Sequence, residues 1–255
     1  MAKDDLGMAT EDRRQTLEAS PTIKVNGEQL VLLPAGAAYW PVKETLIVSD
    51  MHFEKGSSYA VDGVMLPPYD TRSTLRRLTA IVDELTPKTI ISLGDAFHDR
   101  GAEKRMNADD VSALSDLTKR AHWVWIAGNH DPAPPDHFSG ETTPSMRLEG
   151  LFFTHEPESE PEPGEIAGHL HPCARVATGH HFTRRRCFAT DGNRLIMPSF
   201  GTYTGGLNVL DAGFEGLFDQ LTAWVMGRRG VYGFSRRKLM PDSPPVLRAG
   251  FARSG

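Results

Sequence analysis

Seven side chains suited to binding a divalent cation stand at the ends of apolar runs. Asp50-Met51-His52 follows Leu46–Val48, and Gly94-Asp95 follows Ile90–Leu93. Gly128-Asn129-His130-Asp131 follows Trp123–Ile126, His155 follows Leu151–Phe153, and Gly168-His169-Leu170-His171 follows Glu165–Ala167. The candidate ligands are Asp50, His52, Asp95, Asn129, His155, His169 and His171: two carboxylates, one amide oxygen and four imidazoles. This set is too rich in nitrogen for magnesium or calcium and needs no thiolate, so it suits Mn²⁺, with Fe and Zn²⁺ as alternatives. Seven ligands exceed one tetrahedral site and suffice for two ions if Asp95, central in the order, bridges them. Two ions roughly 3.5 to 4 Å apart perform in-line displacement at phosphorus, sharing a water held as hydroxide and neutralising the phosphate oxygens. The leaving oxygen needs a proton, and His130 is the candidate donor.

Strands must deliver these residues, because alternate residues of a strand face the same way. Asp50 with His52, and His169 with His171, can converge on that basis. Ile23 to Leu33 reads as a hairpin around Asn26-Gly27. Phe53 to Pro68 reads as loop. Asp70 to Leu85 has helical period, with Leu75, Leu78, Ile81, Val82 and Leu85 on one face. A second helix runs from Asn107, its N-cap, to about Lys119. The first half is therefore βαβαβ. Pro132 to Pro144 reads as loop, and short strands after it predict a β meander to Met197. Both halves supply ligands, so residues 21–241 form one domain, between a flexible tail at 1–20 and a C-terminal tail at 242–255.

At 255 residues and net charge −5, the chain has no global attraction for nucleic acid or anionic membrane. Two cysteines, Cys173 and Cys187, are too few for a disulfide framework, although they could face each other across a hairpin near His180. No apolar stretch is long enough to span a bilayer, and the first residues lack a signal peptide's apolar run. A cytoplasmic protein without membrane contact is expected.

Asp-x-His, Gly-Asp, Gly-Asn-His-Asp, a lone His and Gly-His-x-His, in this order over Leu46 to Met197, resemble the calcineurin-like metallophosphoesterases. That resemblance implies an α/β fold of two packed, mixed β-sheets flanked by helices. It assigns one metal to Asp50, His52, Asp95 and His171 and the other to Asp95, Asn129, His155 and His169, with His130 as the acid. The broader family often has Gly-Asp-x-x-Asp, whose second Asp pairs with the catalytic His. Here His98 holds that place and Asp99 follows, so either of them supports His130; both, with Asp131, join His130 as catalytic candidates. Gly-Asp-Ala-Phe-His-Asp, His155-Glu156-Pro157, Gly-His-Leu-His-Pro-Cys and Ser199 to Leu207 resemble more narrowly the bacterial ligase-associated DNA-damage-response endonucleases. That similarity implies action in DNA repair, beside proteins such as a ligase or helicase.

The acidic, proline-rich stretch Glu156 to Glu165 must be a solvated loop, and it should repel a rigid duplex. A flexible single strand can avoid it and reach the cationic centre. Arg100, Thr202 and Tyr203 are the candidate substrate contacts, with Arg184 to Arg186 extending the basic patch and Tyr203 or Phe200 stacking bases. The expected activity is endonucleolytic cutting of single-stranded DNA. The alternatives are a phosphodiesterase or pyrophosphatase of a small nucleotide or lipid diester, and a non-catalytic scaffold on this fold.

Overall fold

A computed structural model of the chain describes residues 11–242, except 12, 62, 65, 132–136 and 180. The tail beyond Asp242 lies outside the described residues. Two mixed β-sheets pack face to face. In the first, β4 (Thr45–Val48), β5 (Thr89–Leu93) and β6 (His122–Ile126) run parallel at the centre and are buried over almost their whole length. Parallel strands are covered on both faces, which selects apolar runs rather than alternation. β1 (Thr22–Val25), β2 (Glu28–Leu32) and β3 (Ala38–Trp40) continue the sheet antiparallel on one side, and β7 (Glu141–Thr143) pairs parallel on the other. The β1–β2 turn is Asn26-Gly27, with φ of 48° and 87°, both positive as a tight hairpin turn requires.

Among the described residues, α1 (Lys55–Val61), α2 (Asp70–Leu85), α3 (Ala102–Arg105) and α4 (Ala108–Thr118) are helices that border this sheet or its loops. The period of two along the strands sorts the core into layers. Leu46, Val48 and Ile90 face the stripe Leu75, Leu78, Ile81, Val82 and Leu85 of α2. Ile47, Ile91 and Leu93 face the second sheet. α2 stops at Thr86, whose left-handed backbone (φ 43°) lets its N–H bond Val82 O, and Pro87 follows. α4 starts where the Asn107 side chain accepts from the Asp109 N–H.

The second sheet runs in the spatial order β15 (Val231–Ser235), β14 (Thr222–Met226), β12 (His181–Thr190), β13 (Leu195–Ile196), β10 (Glu165–Ala167), β9 (Leu151–Phe153) and β8 (Met146–Leu148). β13, β10 and β9 are parallel neighbours, so the second half is a mixed sheet rather than a meander. β11 (Cys173–Thr178) pairs with β12 and with β16 (Leu239–Met240). Phe153, Ile166, Phe188 and Leu195 fill the space between the sheets. On the outer face, Cys187, Ala189 and Val225 are covered by Val209, Phe214 and Leu221.

Several local expectations change. The stretch expected as loop after Phe53 contains α1, whose sequence KGSSYAV has no apolar stripe. Tertiary contacts hold it instead, since Gly56 N–H donates to the buried Asp70 carboxylate and Glu54 N–H to the Thr71 hydroxyl. Residues 13–19, expected within the flexible tail, are helical, and Leu17 packs on the core. Cys173 aligns with Arg186 rather than Cys187, so the two cysteines fall on opposite faces; both are buried and free. Among the described residues, no helix is long and apolar enough to cross a membrane.

Candidate metal centre

Every candidate ligand leaves the carboxyl end of a strand along the edge where the two sheets meet. The first sheet delivers Asp50, His52, Asp95 and Asn129; the second delivers His155, His169 and His171. Strand alternation is not what makes them converge. Asp50, His52, Asp95, His169 and His171 all lie past the strand ends with positive φ, at 51°, 45°, 47°, 65° and 47°. Left-handed backbone costs a non-glycine residue roughly 1 to 3 kcal/mol, and such strain persists where a site requires it. Close approach of backbone completes the wrapping. A Cβ on Gly128 would lie 2.3 Å from Asp95 Oδ1, and one on Gly168 would lie 2.5 Å from Asp50 Oδ2.

Each buried carboxylate has one oxygen tied to the protein and the other aimed at imidazoles. Asp50 Oδ2 accepts from Ser49 Oγ at 2.5 Å and from the His169 N–H at 3.0 Å. Its Oδ1, with no aligned hydrogen bond, lies 3.1 Å from His171 Nε2 and 4.0 Å from His52 Nε2. Asp95 Oδ1 accepts from the His130 N–H at 2.9 Å. Its Oδ2 lies 3.5 Å from His155 Nε2 and 3.9 Å from both His52 Nε2 and His130 Nε2. His52 Nε2 is 3.3 Å from His171 Nε2, and His155 Nε2 is 3.3 Å from His169 Nδ1. Ligand atoms about 2.1 Å from a common tetrahedral centre stand about 3.4 Å apart, so these spacings fit cation cages. His155 Nδ1 meets Leu93 O at 2.8 Å, which fixes the ring and leaves Nε2 for a ligand.

Two donor groups result, Asp50–His52–His171 and Asp50–Asp95–His155. Asp50 thus lies close enough to join both, whereas the resemblance gives the shared role to Asp95. Asp95 Oδ2 sits between His52 and His155, while Asp50 Oδ1 leans on His171. Asn129 is exposed, and its amide donates to Glu156, whose Oε1 lies 3.7 Å from His169 Nε2. Glu156, expected only as part of a solvated rim, therefore borders the second cage.

The electrostatics also call for cations. Burial opposes ionisation of Asp50, but contact with His171 and the charges of His171, His155 and His52 outweigh it and hold its carboxyl below the usual range. Burial likewise opposes ionisation of Asp95, and the hydrogen bond and charge of His155 with the His130 N–H bond overcome it. Burial pushes His52 down to about 3. For His155 burial acts downward as well, yet Asp95 and Asp50 prevail and raise it to about 9. In the metal-free chain a proton on His155 thus takes a cation's place, and an incoming ion must displace it. Apparent metal affinity is therefore expected to fall about tenfold per pH unit from pH 8 to pH 6. Calorimetric titration with Mn²⁺ in buffers of different ionisation enthalpy should read about one proton released at that site; affinity independent of pH would contradict it.

The flanking candidates separate. His130 is half-exposed, stacks on His98 (centroids 5.4 Å, interplanar angle 19°) and touches His52 edge-on at 5.5 Å. Asp99 turns away, forming a two-point ion pair with Arg105 and accepting the Gly101 N–H, so His98 is the neighbour of His130. Asp131 is buried and accepts the Phe97 N–H at 2.8 Å, so it braces the Asp95 loop rather than facing substrate. Burial foremost, with the charge of Asp95 and against the Phe97 bond, raises it to about 7. Arg100 is exposed. The Thr202 hydroxyl turns to Thr74 at 3.0 Å, and the Tyr203 hydroxyl donates to Pro67 O. Phe200 is fully buried under Arg77 and cannot stack a base. Lys55 carries no sequence signal of its own, because it sits in the stretch expected as loop. It opens α1 three residues after His52, and burial pushes its ammonium down against the attraction of Asp50 and Asp95.

The acidic stretch is not wholly solvated. Glu165 lies in β10, fully buried, with the equally buried Arg194 guanidinium 2.9 Å away, near enough for strong attraction though not aligned as a hydrogen bond. Arg194 also donates to Glu158 O and Leu217 O, so it anchors the loop from beneath.

Residues 44–196 match the calcineurin-like phosphoesterase family. The crystal structure of the Pseudomonas putida nuclease MPE is similar at 29% identity and a TM-score of 0.65, covering 84% of this chain and 100% of that one. Yfce, a phosphoesterase from E. coli, aligns at 16% identity and a TM-score of 0.39 over 75% of this chain and 98% of that one. No curated protein matches the chain significantly. With the family matched across most of the chain and two cation cages at its strand ends, the chain belongs to the calcineurin-like phosphoesterases and is a metal-dependent phosphoesterase.

Proposed function

We propose that residues 21–241 act as one manganese-dependent phosphodiesterase domain that cuts single-stranded DNA internally, in the service of DNA repair in the cytoplasm. The observation that carries this reading is the joint presence of two adjacent donor groups, Asp50–His52–His171 and Asp50–Asp95–His155, and a half-exposed imidazole, His130, beside them. The similarity to a nuclease of Pseudomonas putida supports nucleic acid as substrate. Held by Asp50, His52, Asp95 and His171 on one side and by Asp95, Asn129, His155 and His169 on the other, two ions would polarise a phosphoryl oxygen and lower the pKa of a water. The chain supplies the rest. The His130 N–H on Asp95 Oδ1 fixes that residue's backbone, and the stacked His98 ring limits where its imidazole can turn. Nε2 of His130 then donates the proton that a poor leaving oxygen needs. A diester requires this proton, so diesters should be preferred to monoesters. Glu158, Glu160 and Glu162 form an exposed acidic rim that disfavours a broad, rigid duplex.

Circular single-stranded DNA tests the reading, because it has no ends. With Mn²⁺ the protein should linearise the circle and leave intact duplex circles closed. His130→Ala should keep both ions and cut about 10²- to 10⁴-fold more slowly. Its deficit should shrink on a bis-nitrophenyl ester, whose leaving group departs without a proton. A circle that survives enzyme levels able to hydrolyse the bis-nitrophenyl ester rapidly would defeat the endonuclease reading and favour a small diester.

A further inference from the structure

β11, β12 and β16 leave the second sheet as a three-stranded tongue rooted at the metal centre. β11 begins two residues after His171. β11 and β12 pair antiparallel from Cys173 with Arg186 at the root to Thr178 with His181 at the tip, and β16 lies along the outer edge of β11. Directly paired residues share a face. One face of the tongue therefore carries Arg186, then Arg175 beside Arg184, then Phe182, while Ala174 and Val176 point into the core on the other. At the root, Arg186 donates to Ser199 O and Thr202 O, in the loop whose Phe200 and Gly201 N–H groups bond Ser49 O and Asp50 O. Arg184 donates to Gly206 O. Towards the tip, the Arg175 guanidinium lies 4.9 Å from the centroid of the Phe182 ring, which is 56% exposed.

Charge is segregated on this element. Segments 173–186 and 236–242 hold Arg175, Arg184, Arg185, Arg186, Arg236, Arg237 and Lys238 against one carboxylate, Asp242, in a chain of net charge −5. Asp242 pairs with Arg184 at 2.8 Å, and Arg236, Arg237 and Lys238 are exposed along the β16 edge. A cationic strip with an exposed aromatic ring at its end, leading away from the cages, is the arrangement that holds unpaired nucleotides: guanidinium and ammonium groups follow the phosphates while the ring takes the face of a base. In a duplex the base faces are already stacked on one another and closed to such a ring. We propose that the β16–β11–β12 tongue is the track for single-stranded DNA flanking the scissile phosphate, with a base stacked on Phe182 and phosphates along Arg175 and Arg236–Lys238. This rests on the single-stranded DNA reading of the same site.

The test uses the full manganese-loaded chain and a fluorescent phosphorothioate oligothymidylate, which resists cleavage, titrated at several salt concentrations. Phe182→Ala should weaken binding about 5- to 100-fold, the worth of one stacked base. The triple variant Arg236→Ala, Arg237→Ala, Lys238→Ala should flatten the slope of log affinity against log salt by about 2, at roughly 0.7 per lost phosphate contact. Both should hydrolyse the bis-nitrophenyl ester at the wild-type rate, because neither alters the cages. If both bind the oligonucleotide as the wild type does, the tongue is not the track. A wild-type chain that hydrolyses the ester but binds no oligonucleotide overturns the nucleic-acid reading itself and the tongue with it. Should Phe182→Ala fail to fold, which lost ester turnover would reveal, the exposed triple variant alone decides.

Discussion

Asp95→Ala is expected to empty both cation sites and to lower hydrolysis of every phosphodiester on the order of 10⁴-fold or more. Oδ2 of this carboxylate lies within 4 Å of His52, His130 and His155 at once, so its loss opens both cages together. Oδ1 holds the His130 N–H, so the proton donor is freed as well. Asp95→Asn separates the two effects. It keeps an oxygen for the N–H and should preserve the loop, yet it removes the charge that two cations share. Metal content per chain after gel filtration, read beside turnover of the bis-nitrophenyl ester, makes the comparison. Two tightly held ions in Asp95→Ala would show that Asp50 is the shared ligand instead.

Removing Arg194 is expected to have the largest effect on stability. Its guanidinium and the Glu165 carboxylate are both buried, and Arg194→Ala would leave a carboxylate uncompensated in the core. Breaking such a pair from one side costs about 3 to 5 kcal/mol, a large part of a typical domain's total stability. Replacing both partners, by Arg194→Met with Glu165→Leu, should recover most of that loss, since well-packed apolar residues often match a buried pair. Urea unfolding of the single and double variants reads the difference directly. If Arg194→Ala unfolds at the wild-type midpoint, the pair contributes little and the acidic loop is held by other contacts.

The central layers were legible because their signals are local and strong. The largely apolar runs at β4, β5 and β6 and the single stripe of α2 each allow one packing. Asn26-Gly27 and the Asn107 cap work through their own backbones. Short elements were not legible, since β3, β7 and β16 gain their identity from neighbours rather than from a pattern of their own. α1 failed for the same reason, being fastened through Asp70 and Thr71. At the site, the recurrence of ligand-type residues after strands pointed to the edge where they meet. The left-handed backbone that turns Asp50, His52, Asp95, His169 and His171 inward left no trace in residue type, because none of the five is a glycine. Thr202 and Tyr203 belong to a loop that lies beside the site, but their hydroxyls face α2 and Pro67. Phe182 carried no signal until the tongue's register placed it above the basic face.

Because the candidate ligands divide between the two sheets, they also divide in time during synthesis. Asp50, His52, Asp95 and Asn129 leave the ribosome before any of His155, His169 and His171 exists. At about 5 to 20 residues per second, the stretch from Asn129 to His171 takes several seconds to emerge. Over that interval the nascent chain offers carboxylate and amide oxygens with a single candidate imidazole ligand, a set that favours the hard, abundant magnesium ion. The three later histidines change the preference only when the second sheet closes on the first. The full donor set, and with it any preference for a nitrogen-loving ion, is therefore complete only once the second sheet is in place.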